Sequence, residues 1–124
     1  MNFKVKVTVR VTNNFKSELK PLLKRYQSLG NDLLRLETEL IQNPQLGTSL
    51  GKNVYKIRLK ITSKGRGKSG GARVITLVES AVIGMIEQTS QEITVSLLSI
   101  FDKSEIANIS DKELKDLIKR FYKE

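Results

Sequence analysis

The 124 residues contain no histidine, no cysteine and no tryptophan. Without histidine or cysteine there is no Cys/His zinc site, no thiol nucleophile and no imidazole-based triad. Disulfide stapling is excluded as well, so packing alone must hold the fold, as is usual in reducing compartments. Long hydrophobic runs are also missing. The apolar stretches reach four or five residues, against the roughly 20 that a membrane-spanning helix needs. The opening Met1-Asn-Phe-Lys-Val-Lys6 lacks the apolar region of a signal peptide. The expectation is a soluble cytoplasmic protein with no membrane partner, folded as a single domain over residues 1–124 around one core.

Acids are scarce where bases are dense. The chain carries 22 Lys+Arg against 13 Asp+Glu, a net charge of +9. Residues 40–78 hold Lys52, Lys56, Arg58, Lys60, Lys64, Arg66, Lys68 and Arg73 without one carboxylate, which places +8 of the +9 in the middle third. Self-repulsion makes such a segment costly unless an anion offsets it, so a polyanionic partner is implied, nucleic acid ahead of a membrane surface. The bland reading of the same charge is a solvated basic face.

The opening segment alternates Val5, Val7, Val9 and Val11 with Lys4, Lys6, Thr8 and Arg10, the period of a strand. From Phe15 the period becomes helical, through Leu19, Leu22, Leu23 and Tyr26, with Thr12, Asn13 or Asn14 as N-cap. Pro21 should shift the start of this helix or kink it. A second helix carries Leu33, Leu36 and Leu40, joined to the first near residues 28–31 and closed by Asn43-Pro44. Gly47 and Gly51 mark a loop. A strand follows in which Tyr55, Ile57, Leu59 and Ile61 alternate with Lys56, Arg58 and Lys60. Cations two residues apart on a strand are about 6.7 Å apart along its axis, which suits the phosphates of an extended nucleic-acid strand. A glycine-rich basic tip, residues 64–71, leads into Arg73 and the buried run Val74, Ile75, Leu77 and Val78. Residues 80–91 read as an extended hairpin end or a protruding arm, and residues 93–101 as another strand. Ser110-Asp-Lys-Glu113 is a capping box, followed by Leu114, Leu117, Ile118 and Phe121 at helical spacing. The fold expected is α+β, in the order β-α-α-β-β-β-α, an antiparallel sheet with an N-terminal helical hairpin and a C-terminal helix on one face.

Three ordered segments carry a resemblance: Leu50-Gly-Lys-Asn-Val-Tyr-Lys-Ile-Arg-Leu59, then Gly67-Lys-Ser-Gly-Gly-Ala-Arg-Val-Ile75, then Leu97-Leu-Ser-Ile-Phe-Asp-Lys-Ser-Glu105, before the helix with Lys112-Glu-Leu114. Together they resemble the RelE/HigB toxins of type II toxin–antitoxin modules, within the RelE/ParE superfamily, across roughly residues 46–122. A Walker A reading of Gly65-Arg-Gly-Lys-Ser69 fails, because Ile61 stands where the first glycine is needed and a β-branched run follows where a helix should start.

The resemblance implies a RelE-like domain acting as a metal-independent endoribonuclease, an mRNA interferase without cofactor. Its partners would be messenger RNA, the ribosome and a cognate acidic antitoxin. By position Lys56, Arg58, Arg73 and Lys103 match the family's basic catalytic residues. Lys60, Lys64, Arg66, Lys68 and Phe101 would contact RNA. Arg73 is the expected clamp on the scissile phosphate, since a guanidinium binds two oxygens at once; its structural alternative is to tie strand ends to Asp102 or Glu105. Phe101 stands where many relatives carry a tyrosine, so it can stack but cannot donate a proton, and Lys103 would have to move it. Phe101 as a core residue is the equal alternative. Two rival functions share these residues: a ParE-like inhibitor of DNA gyrase or topoisomerase, and a non-catalytic RNA-binding module.

Overall fold

The computed structural model describes residues 2–64, 70–84, 88–106 and 108–124, for residues 2, 3 and 88 the backbone alone. The elements are β1 (Asn2–Val11), α1 (Asn13–Arg25), α2 (Leu29–Gln42), β2 (Thr48–Gly51), β3 (Val54–Leu59), a 3₁₀ turn (Thr62–Lys64), β4 (Ala72–Gly84), β5 (Gln88–Asp102) and α3 (Asp111–Tyr122). The strands form one sheet in the order β1-β5-β4-β3-β2. The class is α+β, and the order is β-α-α-β-β-β-β-α, which corrects the expected arrangement in three respects.

First, a strand stands where a loop was expected. Thr48 and Ser49 pair antiparallel with Lys56 and Tyr55. The connection turns on Lys52 and Asn53, both at positive φ (52° and 65°), the geometry of a two-residue type I′ hairpin. Asparagine favours that conformation and lysine does not, so Lys-Asn is a weak turn signal. Second, the sheet is mixed, because β1 runs parallel to β5 with Val7 opposite Ile93 and Val9 opposite Val95. No short turn links these two strands, so nothing local imposes antiparallel pairing. Third, the helices cover both faces. Phe15 and Leu22 of α1 and Leu29, Leu36 and Leu40 of α2 pack with Ile57, Leu59 and Val74 on one side. Leu117 and Phe121 of α3 pack with Val54, Ile75, Leu98 and Phe101 on the other. Adjacent residues such as Val74 and Ile75 are both fully buried. A strand that is apolar on two faces needs a layer over each.

Local signals are obeyed elsewhere. Thr12 caps α1 by accepting from the Phe15 N–H, and both halves of the Ser110/Glu113 capping box are formed. The expected extended hairpin exists, with β4 and β5 paired as far as Gly84 and Thr89; Met85 and Ile86 lie outside the described residues. Pro21 does not shift the start of α1, which begins at Asn13 behind the Thr12 cap and runs through Pro21 to Arg25. It lies with Ser17 on the exposed side, where water can serve the carbonyl that a proline leaves without a donor. The joint between the helices falls at residues 26–28, before Gly30, which lies inside α2.

Candidate nucleic-acid interface

The site is built by register. Arg58 of β3 stands opposite Arg73 of β4, and Arg73 stands opposite Phe101 of β5. Directly opposed residues share a sheet face, so these three form a row across the central strands. Lys56 lies two residues along β3 and therefore on the same face, opposite Ile75. Lys103 follows two residues after Phe101; its backbone N–H donates to the Gly71 carbonyl at 3.0 Å, which sets it beside the start of β4. Four of the expected catalytic positions thus gather at one end of the sheet.

They differ in access. Arg58 and Lys60 are exposed, while Lys56 is half-buried and its Nζ donates to Asn108 Oδ1 at 3.4 Å. Arg73 is only 5 % exposed, and its guanidinium donates to the Ala72 carbonyl at 3.1 Å. Burial, and next the like charge of Arg58, lower the Arg73 pKa from its ordinary value. Two arginines at directly opposed positions make a positive potential for an anion to offset. Phe101, also 5 % exposed, packs with Leu117 and Phe121 under α3. It is a core residue in this arrangement, since a base cannot stack on a ring so covered.

Lys64 is placed differently from the expected RNA contact. Its Nζ donates to Asp102 Oδ1 at 2.8 Å and to the Gly70 carbonyl at 2.9 Å, and it sits 5.1 Å from the centroid of the Tyr26 ring. Asp102, with a fully buried side chain, also accepts from the Tyr26 hydroxyl and from the Ser104 N–H and Oγ, and Arg25 lies at 3.4 Å. Desolvation pushes the Asp102 carboxyl up, but the hydrogen bonds from Lys64, Tyr26 and Ser104 outweigh it and hold the pKa well below the usual carboxylate range. The strand end is therefore tied to Asp102 by Lys64 and Arg25, and Arg25 also pairs with Glu105. Arg66 and Lys68 lie outside the described residues.

The structure adds residues that the periodicity did not single out. β2 pairs only as far as Lys56, and beyond it a cleft of about 540 Å³ opens between α2 and β3, lined by Arg35, Glu39, Thr48 and Thr62 beside Lys56, Arg58 and Lys60. Its inner end is held by buried Asp32, which accepts from the Ser28 Oγ at 2.7 Å, the Thr62 N–H at 3.0 Å and the Thr62 Oγ1 at 2.6 Å, and pairs with Arg35. In sequence Asp32 and Arg35 look like ordinary surface charges of a helix; the 3₁₀ turn brought against α2 adds Thr62 as a long-range partner of both.

No helix among the described residues is long and apolar enough to cross a membrane. No protein-family model matches the chain, and comparison with curated proteins and with solved structures found no match.

Proposed function

We propose that this chain is a RelE-like toxin that cleaves messenger RNA, an endoribonuclease acting on the ribosome and neutralised by a cognate acidic antitoxin. The observation that supports the reading most is the cross-strand pair Arg58–Arg73, with Lys56 beside it on the same face, inside a segment of 39 residues that has eight cations and no carboxylate. RNA cleavage of this kind needs little more than such a set. The ribose 2′-oxygen attacks the neighbouring phosphorus as its proton passes to a base. The phosphorus then carries a fifth oxygen and extra negative charge. The 5′-oxygen departs with a proton, leaving a 2′,3′-cyclic phosphate and a free 5′-hydroxyl.

Charge stabilisation is the dominant requirement. Arg58, exposed, meets the phosphate, and Lys56 flanks it. Arg73, buried on the neighbouring strand, acts through its field, which is screened less than that of a surface cation. Lys103 is assigned the proton transfer, because Phe101 has no hydroxyl to offer.

A non-catalytic RNA-binding module is the second reading. The burial of Arg73 and Phe101 favours it, since of the row only Arg58 is exposed, with Lys60 exposed just past the end of β3. Induction of the protein followed by mapping of new 5′ ends in cellular messages separates the readings. Cuts within translated frames, abolished by Arg58→Ala and Lys56→Ala in folded protein, are the expected result. RNA retention without cleavage supports the binding module, and intact messages with stalled replication support a topoisomerase inhibitor.

A further inference from the structure

A sheet edge is a row of unpaired backbone donors and acceptors, and proteins normally blunt it with charge, brevity or a bulge. This sheet blunts its two outer edges. β1 presents Lys4, Lys6 and Arg10, all exposed. β2 has four residues and a register irregularity between Ser49 and Gly51. A third edge has no such protection. β3 pairs with β4 only up to Leu77, and the Val78 N–H still donates to the Asn53 carbonyl at 2.9 Å. The last turn of α3 reaches β4 as far as Glu79, where the Tyr122 hydroxyl donates to Oε2 at 3.3 Å. Beyond that, residues 80–84 pair with β5 on one side, and among the described residues no strand pairs with the other. The segment is Ser-Ala-Val-Ile-Gly, uncharged and free of proline. Val82 is 68 % exposed and Ile83 49 % exposed.

We propose that residues 80–84 of β4 pair antiparallel with the same residues of a second copy of this chain, forming a two-fold dimer centred on Val82. The direction of the Val78 N–H sets the geometry: by alternation, Ser80, Val82 and Gly84 also aim their N–H and C=O groups outward. About that centre Val82 meets its counterpart, Ser80 meets Gly84, and Ala81 meets Ile83, which gives roughly six inter-chain hydrogen bonds. No like charges oppose each other. A +9 chain should resist self-association, but Arg73 lies nine residues from Val82, roughly 30 Å along the strand. The two Arg58–Arg73 pairs of the dimer are thus roughly 60 Å apart, several Debye lengths at physiological salt. A two-fold axis normal to the sheet keeps both basic rows on the same side. The area is small beside a standard interface of roughly 800 Å² per partner, so a dissociation constant in the micromolar range is expected.

The test needs no RNA, so it stands or falls apart from the ribonuclease reading. Sedimentation equilibrium from roughly micromolar to a few hundred micromolar should show the mass doubling. Val82→Lys and Val82→Pro should raise the dissociation constant at least tenfold, and Val82→Lys, at an exposed position, should keep the wild-type circular dichroism. In wild type the Ser80, Val82 and Gly84 amides should exchange at least ten times more slowly at high protein concentration, while Ala81 and Ile83 do not change. A mass that stays monomeric throughout, a dimer that Val82→Lys leaves intact, or edge amides that exchange equally fast at both concentrations would each overturn the proposal.

Discussion

Asp102 shows how one residue can change the meaning of another. In sequence Lys64 is one of eight cations in a carboxylate-free block. In the fold it closes on a carboxylate 38 positions away. That pairing fixes the base of the glycine-rich tip, because Lys64 also holds the Gly70 carbonyl. Asp102→Asn leaves the Lys64 ammonium, 11 % exposed, without its counter-ion. A loss of about 3 kcal/mol is expected, the lower end for breaking a buried pair, read from the urea midpoint. The pH dependence has a definite sign. The folded-state pKa lies below the unfolded value of about 3.9, so the contribution is complete above that value and fades as pH falls below it. Wild-type urea midpoints should hold from neutral pH to about pH 5 and drop steeply below about pH 4, and this pair's share of the drop should be missing in Asp102→Asn.

Among the elements, the β3–β4 junction is where composition matters most. The Gly70-Gly71 pair reads in sequence as flexibility, but Gly71 is buried and serves closeness: a Cβ there would stand 2.0 Å from the Leu59 carbonyl oxygen and 3.0 Å from the Ile61 nitrogen. These are backbone atoms and cannot turn aside. Gly71→Ala should therefore force β4 away from β3 beside Arg58 and Arg73, costing more than about 3 kcal/mol. Loss of soluble protein, or a markedly lower melting temperature, is the measurement. The α3 helix is the counter-case, since its cap, stripe and ends were all visible locally. Ser110→Ala should cost about 1 kcal/mol, with the helix intact by circular dichroism. What the stripe could not say was which face of the sheet it would cover. That depended on Val54, Ile75 and Leu98 being apolar on the side away from α1 and α2.

For the whole molecule, charge separates along the sequence into a basic middle third and a nearly balanced remainder. If the basic row holds a nucleic-acid backbone, affinity for a single-stranded oligoribonucleotide should fall steeply with salt. Lys56→Gln, Arg58→Gln and Lys60→Gln together should reduce the slope of log K against log salt by roughly 2, at about 0.7 per phosphate contact on single strands. An unchanged slope measured by fluorescence anisotropy would remove β3 as the binding surface. Substituting Lys64 should change the slope little and the stability more, which separates the cations that face solvent from the one engaged inside.

The sequence alone determined what is local: the β1 alternation, the Ser110 capping box, an N-cap for α1 within residues 12–14, and the charge block that puts Lys56 and Arg58 on alternate positions of β3, with Lys60 just past its end. These follow from side-chain size, periodicity and charge within a few residues, which any chain with this local order would express. The tertiary structure decided what depends on residues far apart: that β1 runs parallel beside β5, that Phe101 belongs to the core under α3, that Arg73 is buried against Arg58, and that Lys64 belongs to Asp102. Burial and pairing are properties of two surfaces meeting, and the energy of a charge depends on what displaces its water. Of eight similar cations in the sequence, the six described residues therefore become, once folded, an exposed or half-buried set, a buried pair partner and a structural tie.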